Sequence, residues 1–243
     1  MKIGVICEGP TDYPAITCFF GHALNADGLS PEFFPLFPEM DKTRPNGGWA
    51  SVLLWLSNNP AQVRIQKYFE GGLFGGALST EPLNCIILQL DSDVIDDTLF
   101  QKFIQDRYNF KISTSETPKL RAAEITKVLS VAAEFDVMTG ADRHRHVIAP
   151  AVEATETWCV AAFYPQGDHW ELLRGDALTN TFMSALEQSE GRQPQIPYAR
   201  IDKNQSRRRA FCKKHATGSV RIINTCEQFS QALAQLKNIA PSG

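Results

Sequence analysis

Apolar and polar positions along the chain follow two different periods, which predict strands that alternate with helices. Residues 3–6 and 85–90 are short, nearly continuous apolar runs, a pattern typical of strands that are covered on both faces. Residues 13–25 place apolar side chains three and four positions apart, which indicates a helix that packs back on the sheet. The pattern therefore predicts an α/β fold in which helices sandwich a parallel sheet.

Further elements follow from the same pattern on either side of these runs. Residues 31–38 are rich in aromatics and proline and predict an edge strand, because proline cannot donate to a sheet ladder. Residues 147–152 predict another strand. Helical spacing predicts helices over residues 49–58, 60–70, 98–107, 115–135, 176–188, 202–215 and 224–237. The glycine-rich residues 71–81 lack the order of a phosphate-binding P-loop and are interpreted as a linker.

Length and cysteine spacing limit the class of protein. We expect the 243 residues to form one domain, with a core over about 1–165 and a basic, helical C-terminal part over 166–243 that adds an α/β elaboration. The six cysteines form no C-x-x-C pair, which argues against zinc and predicts a cytoplasmic protein with reduced thiols. No signal peptide is predicted, and no apolar run approaches the length of a membrane span.

Carboxylates follow two of the predicted strands at the point where each strand ends. Glu8 comes directly after the first strand, and Asp91 and Asp93 come after the strand at 85–90. The carboxyl ends of strands in open α/β sheets are where ligands bind, and Mg²⁺ prefers oxygen ligands. The alternative is that Asp91 and Asp93 only cap the following helix, since aspartate suits that position.

The turn EGPTD at 8–12 and the DSD at 91–93 together resemble the TOPRIM signature, a Glu-Gly turn after the first strand and an Asp-x-Asp after a later one. The sequence EGPTDYPAI at 8–16 is most similar to nucleases of the overcoming-lysogenization-defect (OLD) type and to small stand-alone bacterial TOPRIM-like proteins. The resemblance implies a TOPRIM-like, Rossmann-like sheet and one or two Mg²⁺ or Mn²⁺ ions held by Glu8, Asp91 and Asp93. It also implies that Glu156, which precedes Trp158 at a strand-to-helix junction, joins these metal ligands, with Glu153 as the second choice.

A basic segment offers candidate contacts to a phosphate backbone. Residues 202–215 contain Lys203, Arg207, Arg208 and Lys213, in a chain whose formal net charge is −3. Local clusters of Lys and Arg are the expected footprint of a nucleic-acid interface, although a charge run is more often a solvated helix face. We expect Arg207, Arg208 and Lys213 to bind substrate, and Lys203 or Arg207 to act as the transition-state cation.

Two smaller basic stretches have two possible interpretations, either as phosphate contacts or as plain surface turns. They are the loop with Lys42 and Arg44, and residues 142–147, which hold two arginines and two histidines.

These observations predict a divalent-metal-dependent nuclease that cleaves DNA or RNA, with Glu8 also serving as general base. The resemblance to OLD-type proteins, which carry an ATPase domain, implies a separate ATPase partner and a role in phage defence. Two alternatives stay open. One is a phosphatase or phosphotransferase with a nucleophilic aspartate, and the other is a non-catalytic TOPRIM-like module that binds nucleic acid or a partner protein.

Overall fold

A four-stranded parallel sheet forms the centre of the protein. The structure, a computed structural model, describes residues 1–38, 47–70, 81–167 and 169–239. The strands are β1 (Lys2–Ile6), β2 (Glu32–Phe37), β3 (Cys85–Leu88) and β4 (His146–Ile148), in the spatial order β2-β1-β3-β4. The predicted α/β class is confirmed, and the proline-containing strand lies at the sheet edge as expected.

The register of the two central strands brings their carboxyl ends to one level. Ile6 of β1 lies opposite Leu88 of β3, and Gln89 N donates to Ile6 O at 2.8 Å. A bridge between Asp91 and Ala151 continues the pairing of β3 with β4 beyond the end of β4. The residues that follow β1 and β3 therefore share one edge of the sheet, which confirms the predicted placement of the acidic turns.

Helices cover both faces of the sheet. They are α1 (Asp12–Ala26), α2 (Trp49–Asn58), α3 (Ala61–Arg64), α4 (Thr98–Tyr108), α5 (Pro118–Ala132), α6 (Gly140–His144), α7 (Thr155–Phe163), α8 (Gly175–Ser189), α9 (Gln205–Lys214), α10 (Ser219–Thr225) and α11 (Glu227–Ile239). A π-helical turn, Ile65–Phe69, follows α3, and 3₁₀ turns lie at Asp93–Asp96, Trp170–Leu172 and Ala216–Gly218.

Alternate residues of the strands feed two separate apolar cores. Ile3, Val5 and Ile87 face one core, which α1 and the helices from α7 onward complete. Ile86 and Leu88 face the other, which contains the buried side chains of α2, α4 and α5. This alternation is the period-two pattern of a strand, and both of its faces are apolar because helices cover both.

Several predicted elements differ in detail. Within residues 169–239 the regular elements of the C-terminal elaboration are all helices and none is a strand, so its predicted α/β character was wrong. The predicted helix at 60–70 divides into α3 and the π-helical turn, and the strand at 147–152 is shortened to β4. The predictions for residues 71–80 and for Lys42 and Arg44 lie outside the described residues. None of the described helices has the length and apolar character needed to cross a membrane.

Candidate metal centre

The turn after β1 delivers two carboxylates to the sheet edge, Glu8 and Asp12. Asp12 is the first residue of α1 and is only 4% exposed. Its Oδ1 accepts a 2.6 Å hydrogen bond from Thr155 Oγ1, at the start of α7. Asp12 belongs to the EGPTD turn but was not among the predicted ligands, although an acid that opens a helix after a strand end is itself a signal of a ligand site.

Asp91 follows β3 and is held by a buried glutamine. Gln89 is fully buried; its Nε2 donates to Asp91 Oδ1 at 2.7 Å, and its Oε1 accepts from Glu8 N at 3.2 Å. The backbone N–H of Asp91 points toward Glu8 Oε2 at 3.4 Å. Gln89 thus links the two acidic turns directly.

Glu156 reaches the same place from the first turn of α7, where it is 1% exposed. Its Oε1 accepts a short hydrogen bond from the buried guanidinium of Arg208 and lies 3.8 Å from Lys203 Nζ. Its Oε2 is buried, and no residue in the described part of the chain forms a hydrogen bond with it. The prediction that Glu156 points into the acidic cluster is confirmed.

Three carboxylates therefore converge. Oxygens of Asp12, Asp91 and Glu156 lie within 4.8 Å of one another, a separation that one cation can bridge. Two of them, Asp12 and Asp91, also line a cleft of about 380 Å³, together with Glu8, Gly9, Pro10, Thr11, Gly48 and Lys203. The buried, unpartnered Oε2 of Glu156 distinguishes this group from ordinary surface acids.

Crowding of the carboxylates changes their proton affinity. Burial, and then the charge of Glu156, raises the pKa of Asp12, while burial followed by Asp12 and Glu8 raises the pKa of Asp91 well above its usual value. Burial alone would raise the pKa of Glu156, but Arg208 and then Lys203 bring it below its ordinary value. A bound divalent cation would favour the charged form of all three groups.

The other predicted ligands lie beside this group and not within it. Glu8 lines the cleft, and burial followed by the charge of Asp12 raises its pKa to about 8. Asp93 opens a 3₁₀ turn at the margin of the site, and the residue is exposed although its carboxylate is partly shielded from water. Partial loss of hydration there, followed by the charges of Glu153 and Glu156, raises the pKa of Asp93 to about 6.

Glu153 has a different role from the one considered for it. Its Oε1 lies 2.9 Å from Arg121 Nε and 3.2 Å from Arg174 Nε, so two guanidinium groups already neutralise it. It also has a backbone φ of 58°, which is uncommon for a residue other than glycine. Glu153 thus joins a structural ion-pair network and does not enter the carboxylate group.

Two glycines let another loop approach the turn after β1. Gly47 has a φ of +82°, and a side chain there would place Cβ 2.1 Å from Glu8 O. Gly48 N donates to that same oxygen at 2.8 Å. The Gly-Gly pair therefore braces the turn that carries Glu8, for a steric reason that only glycine satisfies.

The structure separates the basic residues that the sequence grouped together. Lys203 precedes α9, so it does not share a helix face with Arg207, and its side chain is 70% exposed at the mouth of the cleft. Although desolvation would lower the pKa of Lys203, the carboxylates of Glu156 and Asp12 raise it. This position agrees with the expected cationic role beside the acidic cluster.

The two predicted substrate contacts Arg207 and Arg208 are occupied by partners within the protein. Arg207 forms ion pairs with Asp202, Glu187 and Glu190. Arg208 is 1% exposed and forms a buried ion pair with Glu156. These contacts correct the expectation that the two arginines form a substrate surface.

Lys213 and the neighbouring Arg209 have exposed side chains, and no described residue forms an ion pair or hydrogen bond with either. Burial raises the pKa of Tyr13 to about 12, and the nearby charge of Arg209 partly offsets this rise. Arg209 therefore lies beside α1, the helix that begins at Asp12.

The histidine- and arginine-rich stretch 142–147 lies at the opposite edge of the sheet. It leads into the amino end of β4, and Arg145 Nε donates to Asn84 O just before β3. His146 is 3% exposed, with Arg64 Nε donating to its Nε2 at 3.3 Å. This placement corrects the interpretation of a phosphate-facing cluster at the mouth of the site.

Comparisons of the chain with protein-family models, with curated proteins and with solved structures gave no match. The geometry of the sheet edge and the motif resemblance are therefore the indications of a function.

Proposed function

We propose that this protein is a TOPRIM-like hydrolase of nucleic-acid phosphodiester bonds that uses Mg²⁺ or Mn²⁺. The observation that carries the proposal is the convergence of Asp12, Asp91 and Glu156, one of whose buried oxygens has no partner among the described residues. Three oxygen donors with room for water suit a small, hard divalent ion. The resemblance of the EGPTD turn and the DSD sequence to the TOPRIM signature supports the same conclusion.

The residues of the cleft have distinct parts in this proposal. Asp12, Asp91 and Glu156 would hold the ion, with Asp93 at the margin available for a second one. A bound divalent ion supplies a more acidic water and neutralises negative charge on the phosphoryl group. Lys203, at the cleft mouth, would bind a phosphate oxygen and stabilise the transition state, as fixed cations do in phosphoryl transfer. Glu8 lines the same cleft, where it would accept a proton from the attacking water.

The nucleic-acid strand would leave the cleft along α9. Arg209 and Lys213 are one helical turn apart, so their exposed charges lie on the same face. Together with Lys203 they would contact successive phosphates of a polyanionic chain, which is the usual source of affinity without sequence preference. Here Arg209 takes the part expected of Arg207 and Arg208.

The test is a cleavage assay on labelled DNA and RNA with Mg²⁺, Mn²⁺ or a chelator. We expect metal-dependent cleavage by the wild type and a loss of at least about 100-fold in Asp91→Asn, because the site loses a metal ligand. The matched control is Asp106→Asn, an exposed acid on α4 that pairs with Lys102. Equal cleavage by Asp91→Asn and wild type would contradict the metal assignment.

Two other outcomes would support the alternatives. Hydrolysis of p-nitrophenyl phosphate, but not of any oligonucleotide, would favour the phosphatase. Binding of an oligonucleotide without cleavage under any condition would favour the binding module. A separate ATPase partner is also proposed, on the resemblance alone, and co-purification of ATP hydrolysis with the tagged protein tests it.

A further inference from the structure

In two of the converging carboxylates, one oxygen is already occupied by a buried donor. Gln89 Nε2 donates to Oδ1 of Asp91 at 2.7 Å, and Thr155 Oγ1 donates to Oδ1 of Asp12 at 2.6 Å. Within the described chain, no residue donates a hydrogen bond to Oδ2 of either aspartate. Each aspartate therefore has one oxygen that a buried donor holds and one that accepts no hydrogen bond from the described residues.

Glu156 follows the same arrangement. Arg208 donates to its Oε1, and Lys203 Nζ lies 3.8 Å from that oxygen as well. Its Oε2 is buried and accepts no hydrogen bond from residues that the structure describes. In each of the three carboxylates, a donor thus holds one oxygen, and no described residue donates a hydrogen bond to the other.

The three donors have little freedom to move away. Gln89 and Thr155 are 0% exposed, and Arg208 is 1% exposed. The orientation of the Gln89 amide is also fixed, because its Oε1 accepts from Glu8 N at 3.2 Å and its amino group must then face Asp91. A buried amide that rotated would leave one donor and one acceptor unsatisfied, at a cost of kilocalories per mole.

We propose that Gln89, Thr155 and Arg208 determine metal selectivity, because they restrict each carboxylate to one-oxygen coordination. Ca²⁺ takes about six to eight oxygen ligands and commonly binds carboxylates through both oxygens, whereas Mg²⁺ accepts an octahedron of single oxygens and water. The site therefore favours Mg²⁺ or Mn²⁺ over Ca²⁺. This inference rests on the proposed metal site, but it concerns binding and does not require cleavage activity.

Isothermal titration calorimetry of the full chain with MgCl₂, MnCl₂ and CaCl₂ tests the inference. The wild type should bind Mg²⁺ and Mn²⁺ more tightly than Ca²⁺. In Thr155→Val, which keeps the shape of the side chain and removes its hydroxyl, the ratio of Ca²⁺ to Mg²⁺ affinity should rise about tenfold, the scale of effect expected when a ligand loses its outer hydrogen bond. Thr155→Ser retains the hydroxyl and should keep the wild-type ratio.

Gln89→Met provides a second, independent variant that frees Oδ1 of Asp91, and circular dichroism checks that each variant is folded. An unchanged affinity ratio in the folded variants would overturn the inference. Equal affinity of the wild type for Ca²⁺ and Mg²⁺ would do the same, while leaving the metal site itself intact. Should no divalent ion bind to the wild type, the metal site and the proposed function fail together.

Discussion

Replacing Arg208 with methionine tests whether the buried ion pair with Glu156 holds the candidate site together. Both side chains are 1% exposed, and the Arg208 guanidinium also lies 4.3 Å from the centre of the Phe182 ring. Methionine retains an unbranched apolar chain of similar reach but removes the charge and the hydrogen bond. Glu156 would then remain buried beside Asp12 and Asp91, and of the described cations the exposed Lys203 would be left to offset its charge.

The expected loss of folding stability in Arg208→Met follows from the buried position of the Glu156 carboxylate. Removing one partner of a buried ion pair costs about 3–5 kcal/mol, because the remaining charge is uncompensated. Burial would raise the pKa of Glu156, and Arg208 is the strongest of the influences that lower it. Without Arg208, Glu156 should therefore take up a proton on folding at neutral pH. This protonation limits the loss of folding stability to the range given above.

Urea denaturation in the presence of a chelator measures this free energy of unfolding. Arg207→Met is the matched control on the same helix, because its ion pairs with Glu187 and Glu190 lie at the protein surface, where such pairs contribute about 0–1 kcal/mol each. The double variant Arg208→Met/Glu156→Gln should be more stable than Arg208→Met alone, since it removes the stranded charge. A loss in Arg208→Met no greater than that in Arg207→Met would refute the reasoning.

Two further predictions concern regions away from the three carboxylates. Burial lowers the pKa of His146 to about 4, so the unfolded chain binds a proton below about pH 6.5 while the folded protein does not. The free energy of unfolding should therefore fall by up to about 3 kcal/mol as the pH drops from 6.5 to 4. Urea denaturation at a series of pH values measures this pH dependence of the free energy of unfolding. His146→Gln should reduce the dependence, whereas His144→Gln, at an exposed position, should not. An equal pH dependence in both variants would contradict the burial argument. The double variant Arg209→Ser/Lys213→Ser should bind a fluorescein-labelled oligonucleotide several-fold more weakly in fluorescence anisotropy. The salt dependence of its affinity should fall by about one to two charges, whereas the control Lys111→Ser should leave both quantities unchanged. An unchanged affinity of the double variant would exclude α9 from the interface.

The central sheet could be predicted from the sequence because its strands carry their own signal. The apolar run from Cys85 to Leu90 indicated a strand buried on both faces, and the proline in β2 indicated an edge. The strand-to-turn junctions then fixed where Glu8 and Asp91 would lie. Local pattern sufficed here, because position along a parallel strand also determines position at the sheet edge.

The missed ligand shows where such local reasoning ends. Asp12 opens α1, and its sequence context is equally compatible with an ordinary helix-starting acid. What marks it as part of the site is the hydrogen bond from Thr155, 143 residues away, and its approach to Glu156. These contacts depend on how α1 and α7 pack over the same end of the sheet, which no local pattern specifies.

Arg207, Arg208 and Arg209 illustrate the same limit for charge. Consecutive helical residues diverge by about 100°, so the three arginines had to face different surroundings. The sequence could not reveal that one direction leads to the acids of α8, one into the core beneath Glu156 and one outward beside α1. The three consecutive arginines therefore have three different roles. Arg207 belongs to an ion-pair network, Arg208 is a buried counterion and Arg209 is an exposed cation.

The internal counterion has a consequence for what the cleft can bind. Asp12, Asp91 and Glu156 bring three potential negative charges into the cluster, whereas Arg208 supplies one buried positive charge and Lys203 an exposed one at the mouth. If Arg208 alone balances Glu156, the two aspartates retain a charge that matches a divalent cation. If Lys203 moves out to a phosphate, the cluster loses its second positive charge, and its attraction for the metal increases. Metal and polyanion binding should therefore reinforce each other at this site, with Lys203 as the residue that couples them.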